Sequence, residues 1–180
     1  MPIEIEKKYR LEPESLEPLR RRLKEVGAEG RGSAEFEENV IYTGPGLDPA
    51  RRVLRLRRKG LRALFTFKER DLSRSAVKRQ REEETEVANA EALAAILEAL
   101  GYRPALVYEK RRETWHVSRA EVVLDELPFG LFVEIEGEEP RILAVEKLLG
   151  LDLAEAEHAS YPELTLRHGL KKGDAFEARF

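Results

Sequence analysis

Residues 3–10 read Ile3-Glu4-Ile5-Glu6-Lys7-Lys8-Tyr9-Arg10, with Ile3 and Ile5 alternating against Glu4, Glu6 and Lys8. A period of two is the mark of a strand with one apolar and one charged face. The same parity returns along the chain. Arg55 and Arg57 share a face opposite Leu54 and Leu56, Glu82 goes with Glu84, Lys110 with Arg112, and Glu134 with Glu136 against Leu131, Val133 and Ile135. Lys68 belongs with Thr66, while Phe65 and Phe67 take the other side. A polar strand face ordinarily meets water, which explains any one of these segments alone. It explains the set poorly, because the opposite faces are apolar and call for cover by helices. With helices outside, the charges are left lining the inside of a barrel.

The rest of the chain supplies the parts. A helix is expected from Ser15, through Leu16, Leu19, Leu23 and Val26, to Gly27, and a second from Asn89 to Gly101. A third runs from Glu138 to Leu149 and closes at Gly150. Strands are expected at 34–42, at 51–58 and 61–68 as a hairpin around Lys59 and Gly60, and at 81–87. Three more follow at 106–112, 115–125 and 131–136, with turns near Glu113 and Thr114 and around 128–130. Residues 71–76 read as a polar connection, and a short helical tail at 162–168 precedes a basic, less ordered end. Charged strands EIEK, EEETEV and FVEIEG each lead through a helix to a glycine, at 27, 101 and 150, a weak internal recurrence that does not divide the chain. The expectation is one α+β domain over residues 1–180: a closed or nearly closed eight-stranded antiparallel β-barrel with helices packed outside.

Composition excludes several chemistries. The chain has 180 residues, 42% hydrophobic and 37% charged, with no cysteine. Disulfides, thiolate nucleophiles, iron–sulfur clusters and sulfur-bound zinc are therefore out. No apolar run is long enough to span a bilayer, and charges occupy the amino-terminal stretch where a signal peptide needs its apolar segment, so a cytoplasmic location is expected. A net charge of -3 argues against a protein that coats nucleic acid. His116, His158 and His168 lack metal-ligand spacing, Ser160 has no evident hydrolase partners, and neither GxGxxG nor GxxxxGK[ST] occurs.

Buried ions each cost several kcal/mol unless solvated, paired or ligated, so charges lining a lumen must serve one another or a guest. Glu4, Glu6, Asp125, Glu134 and Glu136 offer only oxygen ligands, which suits Mg²⁺ or Mn²⁺. Arg55, Arg57, Lys68, Lys110 and Arg112 offer the forked and point donors that hold phosphoryl oxygens. An acidic half beside a basic half suits a metal-bound polyphosphate, most simply a triphosphate.

These residues resemble the CYTH superfamily, the triphosphate tunnel metalloenzymes. The hallmark ExExK stands as Glu4-Ile5-Glu6-Lys7-Lys8, joined by LRLR at 54–57, TFK at 66–68, EEET at 82–85, EKRR at 109–112, Asp125, FVEIE at 132–136 and SYPEL at 160–164. The GLFVEIEG segment is most similar to the class IV adenylyl cyclase-like and thiamine triphosphatase-like subgroup. The resemblance implies a tunnel in which Glu4, Glu6, Asp125, Glu134 and Glu136 hold metal and Lys8, Arg55, Arg57, Lys68, Lys110 and Arg112 hold phosphates. Glu82 and Glu84 orient bases or coordinate indirectly, completing with Glu4, Glu6 and Lys8 the implied catalytic set. One departure is Gln80, where relatives often carry a base; Lys78 and Arg79 are nearby substitutes.

Two chemistries fit that tunnel. A triphosphatase acting on inorganic, thiamine or nucleoside triphosphate directs water at phosphorus; a class IV adenylyl cyclase directs the ribose 3′-hydroxyl of ATP and so needs a base pocket. Phe36, Tyr42 and Trp115 are the aromatic candidates for such a pocket, although barrel or helix packing is the blander role for each. The hydrolase is favoured, and a noncatalytic polyphosphate or nucleotide sensor is the competing class. The expected partner is a triphosphate-bearing small molecule; no membrane and no stable nucleic-acid complex are expected, and a homodimer stays open.

Overall fold

The structure, a computed structural model, describes residues 3–30, 33–70 and 77–180; the expected connection at 71–76 lies outside the described residues. Its strands are β1 (Ile3–Leu11), β2 (Glu29–Gly30), β3 (Glu35–Thr43), β4 (Arg52–Lys59), β5 (Arg62–Arg70), β6 (Lys78–Val87), β7 (Arg103–Val117), β8 (Ala120–Leu127), β9 (Gly130–Glu136), β10 (Leu170–Lys172) and β11 (Ala175–Ala178). The helices are α1 (Leu16–Glu25), α2 (Ala90–Ala99), α3 (Glu139–Leu149) and α4 (Tyr161–His168). Eight strands close a ring in the order β7-β3-β4-β5-β6-β1-β9-β8, with β8 pairing back onto β7. Every pair in the ring is antiparallel. This is the expected closed barrel, and its helices pack outside.

The outward strand faces meet the helices as their parity requires. Tyr9, Leu11, Val122, Val133 and Ile135 pack with Leu19 and Leu23 of α1 and with Ile142, Val145 and Leu149 of α3. Val40, Tyr42, Leu54, Leu56 and Ala63 pack with Ala90 and Leu97 of α2. The recurrence in the sequence has a spatial meaning: β6, β1 and β9 are neighbours in the ring, and each leads into an outer helix that ends on a glycine of positive φ. Asn89 caps α2 by accepting from the Ala92 N–H, whereas Ser15 makes no side-chain cap, because a short 3₁₀ turn over Pro13–Ser15 already leads into α1.

Three expectations are corrected. No turn occurs at Glu113 and Thr114: β7 is one strand of 15 residues, and the chain reverses at Ser118 and Arg119, both at positive φ. Glu113 fits the strand because it faces out and accepts from Arg20 Nε at 2.8 Å. The basic end is not loose: β10 and β11 form a hairpin, with β11 adding in parallel to β7 at Phe176–Ala178. The helical tail starts at Tyr161 behind a capping box, in which Ser160 and Glu163 satisfy each other's backbone N–H groups. Among the described residues no helix is long and apolar enough to cross a membrane.

α4 stops one end of the barrel. Its Tyr161 and Leu164 join Ile41, Leu106, Tyr108, Leu127 and Phe132 in one buried cluster. Those five residues share parity with the inward charges of their strands, so the cluster is an apolar floor across the lumen.

Outside the barrel, Glu146 of α3 is 4% exposed and accepts from Tyr9 Oη and Lys7 Nζ, each at 2.5 Å, pinning α3 to β1. Glu146→Ala strands a buried hydroxyl and an ammonium, and is expected to cost about 2–4 kcal/mol in urea unfolding. Glu146→Gln, which keeps an acceptor for Tyr9, should cost less.

Candidate functional site

Strand register builds the site. Glu6 on β1 stands opposite Glu136 on β9, and Lys8 opposite Glu134. On the other flank Glu4 is opposite Gln80 of β6. Lys68 of β5 faces Glu82, and Thr66 faces both Glu84 and Arg55. Across the closing pair, Arg112 of β7 stands opposite Asp125 of β8. Because β6, β1 and β9 are contiguous and so are β7, β3, β4 and β5, acids and bases gather on opposed walls. The cavity between them measures about 240 Å³ and is lined by Glu4, Glu6, Lys8, Arg55, Arg57, Lys68, Glu82, Glu84, Lys110, Arg112, Glu134 and Glu136 among others.

Glu4, Glu6 and Glu136 converge, each offering a carboxylate oxygen within 4.8 Å of the others. Loss of hydration pushes the Glu136 carboxyl up to about 8; Arg112 opposes this, while Glu4, Glu134 and Glu6 add repulsion. Three converging carboxylates, one of them driven towards its protonated form, fit a hard divalent cation that takes oxygen ligands. Glu4 is held from behind, its Oε2 accepting from Lys68 Nζ at 2.6 Å and Gln80 Nε2 at 2.5 Å. Gln80 therefore orients an acid where a base was expected. Arg79 turns outward to pair with Glu139 of α3, and the Lys78 side chain lies outside the described residues.

The five acids expected to form one metal set divide. Asp125, which is 1% exposed, accepts Arg112 Nε and Nη2 at 2.7 and 2.5 Å and the Tyr161 hydroxyl at 2.8 Å. Burial pushes its carboxyl up, but Arg112 and Lys110 override that and hold it far below the usual range. Glu134 accepts from the same Arg112 Nη2 at 2.7 Å. Register is the cause, since Asp125 pairs with Arg112 rather than with β1. Asp125 and Glu134 thus fix a guanidinium, while Glu4, Glu6 and Glu136 form the open cluster.

On the basic wall, Arg55 donates to Thr66 Oγ1 at 3.3 Å and lies 3.9 and 3.7 Å from Glu82 and Glu84. Thr66 in turn donates to Glu84 at 2.8 Å, and Lys68 reaches Glu82 at 2.9 Å. Burial and then the neighbouring Arg55 lower the Arg57 guanidinium from its ordinary value, while Glu37 opposes them. Tyr161 forms the floor beneath two lysines: Lys8 Nζ lies 4.3 Å and Lys110 Nζ 5.3 Å from its ring centre. Arg70, Ser160 and Pro162 complete that end.

Phe36, Tyr42 and Trp115 lie outside the lumen. Their parity is opposite to that of Glu37 and Lys110; Tyr42 packs under α2, and Trp115 lies in the outer cluster with α1, its ring against Gly30. The aromatic side chains that do reach the cavity are Tyr108 and Tyr161. Parity alone would have found Tyr108, two residues before Lys110. Glu37 also went unread, although Glu35 and Glu37 repeat the i, i+2 signal seen elsewhere. Glu37 is fully buried; Lys110, Arg57 and Arg112 outweigh the effect of burial and hold its carboxyl at about 2.

The CYTH domain profile matches residues 2–166. The PH1012 protein of Pyrococcus horikoshii is similar in structure, with a TM-score of 0.75, 27% identity, and coverage of 89% of this chain and 98% of that one. A conserved hypothetical protein of Pyrococcus furiosus gives 0.74 at 25% identity, covering 89% and 99%. A putative adenylate cyclase of Vibrio parahaemolyticus gives 0.75 at 24%, covering 90% and 97%, a likeness of fold. No curated protein matches the chain.

The Glu136 carboxyl ties the stability of the fold to pH. It binds a proton more tightly folded than unfolded, so stability falls as pH rises from about 4.5 through about 8. Thermal melts of metal-free protein should show this slope in wild type and lose it in Glu136→Gln. Added Mg²⁺ competes with the proton and should raise Tm more at pH 8.5 than at pH 6.

Proposed function

The chain belongs to the CYTH domain family, and from that premise we propose that it is a divalent-metal-dependent triphosphatase. The observation that carries this reading is the opposition, within one cavity, of the Glu4–Glu6–Glu136 cluster to a wall of arginines and lysines. Glu4, Glu6 and Glu136 would hold Mg²⁺ or Mn²⁺, which when bound supplies positive charge against the phosphoryl oxygens. Lys8, Arg55, Arg57, Lys68, Lys110 and Arg112 bind the phosphate chain.

The hydrolytic step then falls to named side chains. Glu82 and Glu84 accept hydrogen bonds from a water and orient its oxygen towards the terminal phosphorus. Burial raises the Glu82 carboxyl, but its hydrogen bonds and Lys68 bring it below its ordinary value, which keeps it an acceptor. The new P–O bond forms as the bridging P–O bond breaks, and the departing diphosphate oxygen takes the electron pair beside Arg55 and Arg57. The proton lost by water passes to the acidic wall. Asp125 positions Arg112 rather than acting on substrate, and Tyr161 supports Lys8 and Lys110 from below.

Cavity size supports hydrolysis of a compact chain. At about 240 Å³ the cavity lies below the usual volume of sites for drug-sized ligands. A triphosphate chain fits such a space, while a nucleoside has to project from it. The three aromatic candidates for a base pocket lie outside the lumen.

Product analysis with tripolyphosphate and, separately, ATP in Mg²⁺ and in Mn²⁺ tests the reading. Orthophosphate without cyclic AMP is expected, with Arg57→Ala and Glu6→Ala each losing about 100-fold or more in kcat/KM. Equimolar cyclic AMP and pyrophosphate from ATP would replace hydrolase by cyclase. Tight tripolyphosphate binding with no turnover in either metal would leave a sensor instead.

A further inference from the structure

β3 runs through the middle of the basic wall, between β4 and β7, yet its inner face carries no base. It brings Glu37 and Asn39, both fully buried. The nearest cations to Glu37 are Lys110 Nζ at 3.4 Å, Arg57 Nε at 3.7 Å and Lys59 Nζ at 3.8 Å. Neither of its oxygens accepts a hydrogen bond among the described residues.

Asp125 is the instructive contrast. It is equally buried, but it takes hydrogen bonds from a two-pronged Arg112, a tyrosine hydroxyl and Lys110 Nζ at 3.3 Å, and so fixes geometry. Glu37 takes none of these, and a buried carboxylate without hydrogen bonds is costly. What sustains it is the Coulomb field of the bases around it. Because those bases stand at 3.4 to 3.8 Å, their N–H donors are not consumed by Glu37.

We propose that Glu37 is the resident counter-anion of the basic wall: it balances Lys110 and Arg57 in the ligand-free protein and, by opposing the charge of the ligand, weakens the hold on polyphosphate and on phosphate products. The inference rests on reading the lumen as a polyphosphate site. Glu37 does not line the cavity, so it acts through the field it sets around Lys110 and Arg57 and is not a catalytic residue. Its contribution is release. A wall with the same bases and only Asp125 behind them would hold a multiply charged product more tightly.

Calorimetric titration of tripolyphosphate without metal, so that nothing turns over, tests this in wild type, Glu37→Gln and Glu37→Asp. Removing one charge at this range should tighten binding about tenfold in Glu37→Gln, while Glu37→Asp, which keeps the charge, stays within about twofold of wild type. Orthophosphate should inhibit Mg²⁺-dependent turnover of Glu37→Gln at correspondingly lower concentration. A merely structural role has the opposite sign, so unchanged or weaker tripolyphosphate binding by Glu37→Gln overturns the proposal. Asn39→Asp places a second carboxylate two residues along the same face and should weaken binding by a similar factor. Should Glu37→Gln not fold, unchanged or tighter binding by Asn39→Asp overturns the proposal. Wild type failing to bind tripolyphosphate at all would overturn the reading of the lumen itself, a result distinct from either variant outcome.

Discussion

Closing eight strands into a ring removes exposed edges, but it also encloses one face of every strand, and that face here is charged. An ion withdrawn from water costs several kcal/mol even after relaxation, so such a lumen exists only if nearly every charge has an opposite neighbour. Register supplies most of those neighbours: Lys8 against Glu134, Lys68 against Glu82, and Arg112 against Asp125. Register also sets like against like at Glu6 and Glu136, where Glu4 brings a third carboxylate. That location is the candidate metal site. There, three converging carboxylates favour a cation that takes oxygen ligands.

The outer face obeys a second constraint. Three helices follow the three strands of the acidic wall in the chain, and they cover much of the apolar side of the ring. α4 does something different, crossing the floor and joining the two layers. Tyr161 embodies that junction: its ring lies under Lys8 and Lys110 while its hydroxyl holds Asp125, which holds Arg112. Burial and the neighbouring Asp125 raise that hydroxyl well above its ordinary value, so it stays a donor. An apolar floor and a charged cavity are thereby fixed by one residue.

Period-two alternation made the barrel legible, because it is a local signal that survives without knowing which strands pair. Pairing itself is not local, and the misread features are all consequences of it. Glu113 and Thr114 look like a break, but a strand flanked on both edges absorbs polar residues on its outer side, as Glu113 does with Arg20. The real reversal at Ser118–Arg119 lacks the glycine or asparagine that usually announces two residues at positive φ. The β10–β11 hairpin is short and basic, and it becomes a strand pair only because β7 offers it an edge. That Asp125 and Glu134 share Arg112 likewise follows from how β7, β8 and β9 lie side by side, which no spacing within one strand encodes.

Charge balance also bears on what the cavity binds. Seven acids and seven bases line it, with Glu37 and Asp125 buried behind them. Counting those two, acids exceed bases by nine to seven among the described residues, so a polyanion without a divalent ion adds uncompensated charge. The two together add little, since the ion neutralises much of the anion that accompanies it. On the function proposed above, opposed walls suit a metal–polyphosphate pair, whereas a uniformly basic lumen would suit any anion and a uniformly acidic one any cation. Selectivity of this kind comes from the arrangement of ordinary charges around the ring and needs no contact with the rest of the substrate.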